Sequence, residues 1–497
     1  MNILIGLLSL ACLGSLTGFP HRGFPIPPWT AFFALSLALT LRLWFQARRE
    51  DKDPFDAHPA LFPFLLAFTF YLSSFRWHGG DDIPNSLLPF AILRHGTLTM
   101  EPFRAWFAEH GMSPDFTVIH RGIWVSIFPV APGLLALPLY LLPVLSGAPP
   151  DELLLHHLSK VSASAITALS AALFFLLLRR RAAKPWAVSA FLLYALGSWS
   201  FSVSSQALYQ HGPAQLFLIL GLWGLLEEEA APRHAALAGL GFACAFCCRP
   251  DSLFFLAAAG LFFLWRRPRL LAAFLAGAAP PLLLLAAYWH HYTGKIAPPD
   301  SGVQSSIMAA FQPEVLPGIL LSPTRGLLPF MPAAFFGLWG MWRRVRENAL
   351  PWALPLALPL PALLVFYSFY GNWTGGQTFG TRYFATSAIL LALFAAQSGP
   401  ELGRSPFLRR AWSLSVCWSI LVHALGAYLG WPGSYAIIEQ KAAVWDWTLY
   451  PPLELLSASG NLRALPWALR LLVLAAAAGT AWKGGRARER WIERESP

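Results

Sequence analysis

The chain has 497 residues, of which 56% are hydrophobic and only 12% are charged. Soluble domains carry about 25% charged residues, so most of this protein's surface must face lipid rather than water. The net charge of +11 comes from short Lys and Arg clusters between apolar runs, which is typical of membrane loops and argues against a nucleic-acid partner.

Apolar runs that could cross a membrane recur along the whole chain. A helix needs about 20 apolar residues to span the hydrocarbon core. The first run lacks the charged start and the small-residue cleavage site of a signal peptide, so we interpret it as a membrane helix. The candidate runs lie near 2–19, 28–47, 59–75, 127–146, 155–178, 185–205, 212–227, 235–248, 251–265, 270–290, 318–342, 349–369, 382–398, 411–430 and 466–482. They predict an all-α polytopic membrane protein, a bundle of about 12–15 membrane helices.

Charge patterning predicts which loops share a side of the membrane, because Lys and Arg accumulate in cytoplasmic loops. Such clusters occur at Arg48/Arg49, Arg179–Arg181, Arg266/Arg267/Arg269, Arg343/Arg344/Arg346, Arg404/Arg409/Arg410 and in the C-terminal tail. The loops that should then lie outside are 76–126, 206–211, 291–317, 370–381 and 431–465. The largest of these external loops, 76–126, follows the third apolar run.

One apolar run, 127–146, conflicts with this count. Residue 126 should lie outside and Arg179 inside, but two full crossings between them would place both on the same side. The run contains four prolines, which favours a re-entrant or interfacial segment. Alternatively, the basic cluster at Arg179–Arg181 is an exception to the charge rule. Both interpretations stay open at this point.

Three regions follow from these patterns. Residues 1–50 are expected to form an N-terminal membrane hairpin, residues 51–400 a central membrane module with the external loop 76–126, and residues 401–497 the remaining helices. The last region is expected to include the external loop 431–465 and a basic cytoplasmic tail.

Two adjacent carboxylates, Asp81 and Asp82, open the 76–126 loop directly after a membrane helix. A carboxylate at such a boundary is costly unless it has a partner or a task. Three interpretations are open: a general base for an acceptor hydroxyl, a ligand for a divalent metal that neutralises a phosphate, or a solvated turn. We treat both residues as candidate catalytic groups, without deciding between them, and leave metal dependence undecided.

Other polar residues lie where later helices should reach the outer boundary. Gln210 and His211 belong to the stretch QALYQHGP and could hydrogen-bond a phosphate or a sugar. Arg325 and Arg382 lie on the side where positive charge is disfavoured by topology, and Arg binds phosphate through a planar fork. For all of them, the alternative is an interfacial side chain with no ligand.

A third basic residue near this boundary, Arg249, has a different interpretation. Arg249 is followed two residues later by Asp251, and we expect the two to form a structural ion pair.

The order of these pieces resembles the GT-C superfamily of membrane glycosyltransferases, which includes relatives of protein mannosyltransferases and of the lipid A aminoarabinose transferase. The similar stretches are the acidic start of the first large external loop, SIFPVAPGLLALP at 126–138, QALYQHGP at 206–213, LSPTRGLLPFMP at 321–332 and GNWTGGQTFGTRY at 371–383. The resemblance covers about residues 59–400. It implies a GT-C-like helix bundle with Asp81 or Asp82 at the catalytic acid position, and with Arg382 and the adjacent Tyr383 in the substrate site.

The resemblance also implies the activity. Such enzymes transfer a sugar, with inversion, from a polyprenyl-phosphate donor to a protein, lipid or glycan acceptor outside the bacterial plasma membrane. The resemblance does not require a cofactor, and it leaves a divalent metal open. The alternatives are a membrane transporter or lipid flippase, and a polysaccharide polymerase or ligase of another membrane fold. A transporter would be expected to show charges within its spans and paired repeats, and the sequence shows few such charges and no repeat.

Overall fold

The computed structural model describes residues 1–76, 80–110, 117–227, 231–296, 308–348, 350–430 and 443–457. Over these residues the fold is helical apart from one short β-hairpin, which confirms the predicted all-α class. The first helices are α1 (Asn2–Gly18), α2 (Pro28–Arg49), α3 (Pro54–Ala57), α4 (Leu61–Leu72), α5 (Ile83–His95), α6 (Arg104–Glu109), α7 (Ala131–Leu145), α8 (Glu152–Arg181), α9 (Lys184–Leu196), α10 (His211–Leu226) and α11 (Pro232–Cys248). They are followed by α12 (Leu253–Arg266), α13 (Leu271–Thr293), α14 (Val315–Leu321), α15 (Leu327–Phe330), α16 (Ala334–Arg346), α17 (Ala353–Ala357), α18 (Pro359–Tyr367), α19 (Ser387–Gln397), α20 (Gly399–Arg404), α21 (Pro406–Leu429) and α22 (Pro451–Ser457). Strands β1 (Thr117–His120) and β2 (Ile123–Ser126) pair antiparallel, with Thr117 opposite Ser126.

The central element is α8, a helix of 30 residues that packs against α2, α4, α5, α7, α9, α10 and α19. Its start is capped by Asp151, whose side chain accepts a hydrogen bond from the Leu154 amide. Glu152 lies in the first turn, and three arginines lie in the last turn, so both ends are charged in the sense that the helix dipole favours. At 1.5 Å per residue α8 extends about 45 Å, enough to run from one membrane surface to the other.

Two of the predicted cytoplasmic clusters, those on α8 and α16, gather at one end of the bundle, which we call the basic end. Arg179 at the end of α8 pairs with Asp56 at 2.7 Å, and Lys184 pairs with Asp53 at 3.2 Å. Arg344 of α16 pairs with Glu401 at 3.0 Å and donates to the carbonyl of Gln397. Gln397 in turn donates to the Arg181 carbonyl, so the clusters on α8 and α16 are neighbours as the charge pattern predicts.

The described residues of the 76–126 loop lie near the start of α8, at the opposite end, and include α5, α6 and the β-hairpin. Helix α7 follows this loop, and the loop contacts both its start and the residues just beyond its end. Near its start, Gly133 packs against Asn85 and Leu88 of α5. Just beyond its end, the carbonyl of Ala148 accepts from Arg94, and that of Pro150 accepts from the Trp106 indole at 2.7 Å.

Because both ends of α7 contact the same loop, the chain returns to the side from which it came. Of the two interpretations left open for 127–146, the segment that does not cross is therefore the one the structure supports. Arg179–Arg181 then obeys the charge rule.

Four helical segments of the described residues are long and apolar enough to cross a membrane: Pro28–Arg49, Glu152–Arg181, Pro268–Thr293 and Pro406–Leu429. Several predicted spans are instead broken. The 318–342 run is divided into α14, α15 and α16 at its prolines, and the 349–369 run into α17 and α18. The predicted 185–205 helix ends at Leu196, and a wide π turn follows at Ser200–Ser204. The predicted span 466–482, the basic tail and most of the 431–465 loop lie outside the described residues.

Candidate active site at the end opposite the basic clusters

Asp81 and Arg382 are 301 residues apart in the sequence and form an ion pair in the structure. The Arg382 Nη1 donates to Asp81 Oδ2 at 2.7 Å. Asp81 directly precedes the N-cap of α5, and Arg382 opens a short helical turn, Arg382–Phe384, that leads into α19. Both side chains are partly accessible, 35% for Asp81 and 20% for Arg382. The structure thus brings one predicted catalytic carboxylate directly to one predicted phosphate-binding arginine.

Asp82 points the other way and is fully buried. Its Oδ2 accepts from the Ser159 hydroxyl of α8 at 3.1 Å, and the same hydroxyl accepts from the Leu208 amide at 2.8 Å. Asn85 donates to the Leu208 carbonyl at 3.1 Å. Helix α8 therefore bonds the amide of Leu208, and helix α5 bonds its carbonyl. Asp82 therefore positions the 205–210 segment that precedes α10, and it does not share the accessible face of Asp81.

The surroundings of Asp82 favour a neutral carboxyl group. Burial raises its pKa to about 7, and the hydrogen bond from Ser159 only partly opposes this effect. The other carboxyl oxygen, Oδ1, has no hydrogen-bond partner among the described residues.

This pKa gives a testable stability prediction. A carboxyl whose folded-state pKa is raised binds its proton more tightly in the folded state, so stability falls as the pH rises from the unfolded value near 4 to about 7. An Asp82→Asn variant lacks this titration. We therefore expect the melting temperature of the wild type to fall relative to that of D82N between about pH 4 and pH 7. Thermal unfolding in detergent across this range measures the difference, and parallel curves for the two proteins would contradict it.

A second polar group surrounds Arg249, at the junction of α11 and α12. Its Nε lies 2.7 Å from Asp251 Oδ1, and its Nη2 donates to the Tyr367 hydroxyl at 3.1 Å. The Tyr367 hydroxyl donates to Asp251 Oδ2 at 2.6 Å, which closes a three-membered network. The remaining nitrogen, Nη1, lies 3.4 Å from Nε2 of His211 at the start of α10. The expected Arg249–Asp251 pair is present, but it also contacts a predicted substrate-binding residue.

Tyr383 joins the two groups. Its ring stacks on Tyr367 with centroids 4.4 Å apart. The guanidinium carbons of Arg249 and Arg382 lie 5.7 Å and 6.0 Å from the centroid of the same ring. We call the resulting set of seven residues the outer polar cluster: Asp81, His211, Arg249, Asp251, Tyr367, Arg382 and Tyr383.

Arg325 is outside this cluster and is fully buried. Its Nη1 donates to the Thr378 carbonyl at 2.5 Å and its Nη2 to the Gly376 carbonyl at 2.8 Å. The guanidinium thus bonds the glycine-rich loop that carries Arg382. Arg325 was predicted to contact substrate directly, and its position instead gives it an indirect role through this loop. Within this loop Gly380 has φ of +68°, and a Cβ there would lie 2.8 Å from the Phe330 ring, so only glycine fits.

The 205–210 segment contains residues whose contacts the sequence does not reveal. Lys160 of α8 is buried and donates to the Ser205 carbonyl at 3.0 Å and to Gln206 Oε1 at 2.9 Å. Gln210, a predicted substrate-binding residue, is the N-cap of α10, and its carbonyl accepts from the Ala214 amide. Its neighbour His211 is the residue that the fold directs to Arg249.

A divalent metal would need several ligands at the positions of Asp81 and Asp82. A metal ion at Asp81 would have to displace Arg382, and Asp82 is buried beneath the accessible face. Over the residues that the structure describes, no group of three His, Cys, Asp or Glu side chains is close enough to hold a metal ion. The possible divalent metal therefore stays a prediction, and no metal site is assigned among the described residues.

Similarity of this chain to known proteins is found at the level of solved structures. No protein-family model and no curated protein match the chain. Among solved structures, the chain is similar to the oligosaccharyltransferase AglB from Archaeoglobus fulgidus in complex with an inhibitory peptide and a dolichol-phosphate, with 13% identity and a TM-score of 0.46. That match covers 76% of this chain and 57% of AglB, so this chain spans little more than half of its length.

The chain is also similar to ArnT from Cupriavidus metallidurans. The apo form matches with 13% identity, a TM-score of 0.44 and coverage of 91% of this chain and 77% of ArnT. The form bound to undecaprenyl phosphate matches with 12% identity, a TM-score of 0.44 and coverage of 94% and 81%. The likeness concerns the arrangement of helices, and no residue role is taken from it.

Proposed function

We propose that this protein is a glycosyltransferase that transfers a sugar from a polyprenyl-phosphate donor to an acceptor hydroxyl, with inversion, at the extracytoplasmic surface of a bacterial plasma membrane. The observation that supports it most is the outer polar cluster. A partly accessible carboxylate and two guanidinium groups meet there, at the end of a membrane bundle opposite the basic end. The acceptor is a protein, a lipid or a glycan, and the cluster does not distinguish among them.

Asp81 is the proposed general base because it is the accessible carboxylate of the pair. It takes the proton of the acceptor hydroxyl while that oxygen forms a bond to the anomeric carbon of the sugar. The bond between the anomeric carbon and the phosphate oxygen breaks in the same displacement, and its electron pair leaves with the polyprenyl phosphate. A single displacement from the opposite face inverts the anomeric centre.

The leaving phosphate gains negative charge during this step, and cations that are already in place stabilise that charge best. Arg249 is held in place by Asp251, and Arg382, which is paired with Asp81, supplies the second guanidinium of the cluster. His211 and the hydroxyl groups of the cluster supply further hydrogen-bonding atoms for the phosphate or the sugar.

A lipid-linked donor also needs a place for its apolar chain. An open apolar groove of about 600 Å³ lies between α12 and α18 and is lined by side chains that include Phe254, Val365 and Phe366. Phe254 follows Asp251 by less than one helical turn, and Phe366 precedes Tyr367. The groove therefore begins directly beside the outer polar cluster, and we propose that it holds the first isoprene units of the donor.

A reconstitution experiment tests the proposal. Purified protein in liposomes is supplied with polyprenyl-phosphate sugars and with envelope extract as the source of acceptor. We expect the release of polyprenyl phosphate in proportion to sugar attached to the acceptor, with inverted anomeric configuration. Movement of the donor lipid between leaflets without any transfer of its sugar would contradict the proposal and support a flippase.

A further inference from the structure

The ion pair between Asp81 and Arg382 has a consequence for the proposed reaction. The Arg382 Nη1 hydrogen bond at 2.7 Å occupies Asp81 Oδ2, the oxygen that would otherwise face an acceptor hydroxyl. In the same way, a guanidinium neutralised by a carboxylate offers less charge to a phosphate. In this structure Arg382 occupies one oxygen of the proposed base, and Asp81 offsets the charge of the proposed phosphate-binding group.

Starting from the proposed function, we infer that Arg382 exchanges partners during the reaction. It leaves Asp81 for the donor phosphate, so the base becomes free only after the donor has bound. The donor is then required to bind before the acceptor hydroxyl can be activated.

The two ion pairs of the cluster differ in their exposure, and this difference favours Arg382 over Arg249 for the exchange. The side chains of Arg249 and Asp251 are only 10% and 6% exposed, and the Tyr367 hydroxyl bridges them. Those of Arg382 and Asp81 are 20% and 35% exposed, so a ligand can reach the space around them. Arg249 is therefore a fixed cation, and Arg382 is the cation that is free to move.

The backbone on both sides of the exchange stays in place. Arg325 holds the loop before Arg382 through the Thr378 and Gly376 carbonyls, and α5 follows Asp81 directly. Only the Arg382 side chain has to swing from one oxygen anion to another.

The chemistry drives the exchange in one direction. A sugar phosphodiester carries one negative charge, whereas the released phosphate monoester carries about 1.5 to 2. At the same time, Asp81 becomes neutral as it takes the acceptor proton and no longer attracts the guanidinium. Both changes increase the preference of Arg382 for the phosphate along the reaction, so this interaction stabilises the transition state more than the ground state.

Binding of undecaprenyl phosphate to the protein in nanodiscs tests the exchange. If Asp81 competes with the phosphate for Arg382, an Asp81→Asn variant should bind undecaprenyl phosphate about fivefold more tightly, the upper range for loss of a partly exposed ion pair. In an Arg382→Gln background, the same D81N substitution should change the affinity little. Glu101→Gln is the matched control, because it removes a carboxylate paired with Arg104 at 2.9 Å in the same loop.

The outcomes separate this inference from the proposed function. Unchanged or weaker binding by D81N, with clear binding by the wild type, would overturn the exchange alone. An equal gain in D81N with and without Arg382 would also overturn it, because the effect would then be general electrostatics. Absence of binding in every variant would overturn the exchange and the lipid-phosphate donor together.

Discussion

Asp81→Asn is expected to lower the rate constant of sugar transfer by about 10²- to 10⁴-fold, the range for removal of a general base. The asparagine keeps the size of the side chain but cannot take the acceptor proton. The donor should still bind, because the two arginines and the groove remain. Initial rates at saturating donor in liposomes measure the rate constant, and their dependence on donor concentration shows whether donor binding is retained.

Asp82→Asn is the matched control for this result. Asp82 contacts Ser159 rather than the accessible face of the cluster, so its loss should reduce transfer much less than the loss of Asp81. If D82N were the inactive variant and D81N retained most of its rate, the assignment of the base would be reversed. Equal activity of both variants with the wild type would remove this carboxylate pair from the mechanism.

The sequence was sufficient to predict the helical membrane bundle, because apolar runs and basic clusters report directly on burial in lipid and on sidedness. It could not predict the path of α7. An apolar helix of 15 residues has the same local pattern whether it crosses the membrane or lies against α5 at one surface. Only the contacts of Ala148 and Pro150 with the 76–126 loop decide between them.

The boundaries of the later helices were also beyond the sequence pattern. Residues 198–205 are rich in serine, and side chains bond the backbone of this stretch. The Ser198 hydroxyl accepts from the Ser200 amide, and Gln206 Nε2 donates to the Phe201 carbonyl. These side chains pair with backbone groups at the point where the chain leaves the α-helical path after Gly197. Hydropathy does not detect such an exchange of backbone for side-chain hydrogen bonds.

Within the site, the pairing of Asp81 with Arg382 agrees with the sequence resemblance, and its catalytic meaning stays a prediction. Adjacent residues at a helix start point in different directions. The sequence did not distinguish Asp81 from Asp82, because only the packing shows which of the two directions faces the accessible side. Arg249 was assigned a structural pair alone. Positive charge is disfavoured at the outer end of a helix. This was the signal that singled out Arg325 and Arg382, and Arg249 carries the same signal.

The role of Arg249 leads to the second large expected effect. Arg249→Gln removes one partner of a buried ion pair and leaves the Asp251 carboxylate without its charge partner. Loss of one member of such a pair costs about 3–5 kcal/mol of unfolding free energy, so R249Q should be clearly less stable than the wild type. Transfer should also fall, by about 10²- to 10³-fold in rate, if Arg249 stabilises the leaving phosphate.

Stability and activity can be separated with the Arg249→Gln, Asp251→Asn double variant. Removing both charges eliminates the unpaired carboxylate, and the two amides can still hydrogen-bond each other and Tyr367, so most of the unfolding free energy should return. Transfer should not return with it, because the cation near His211 and Tyr383 is still missing. Unfolding by denaturant in micelles gives the stability, and the liposome assay gives the rate. A double variant that regains both would show that Arg249 serves the fold alone, and the leaving phosphate would then depend on Arg382.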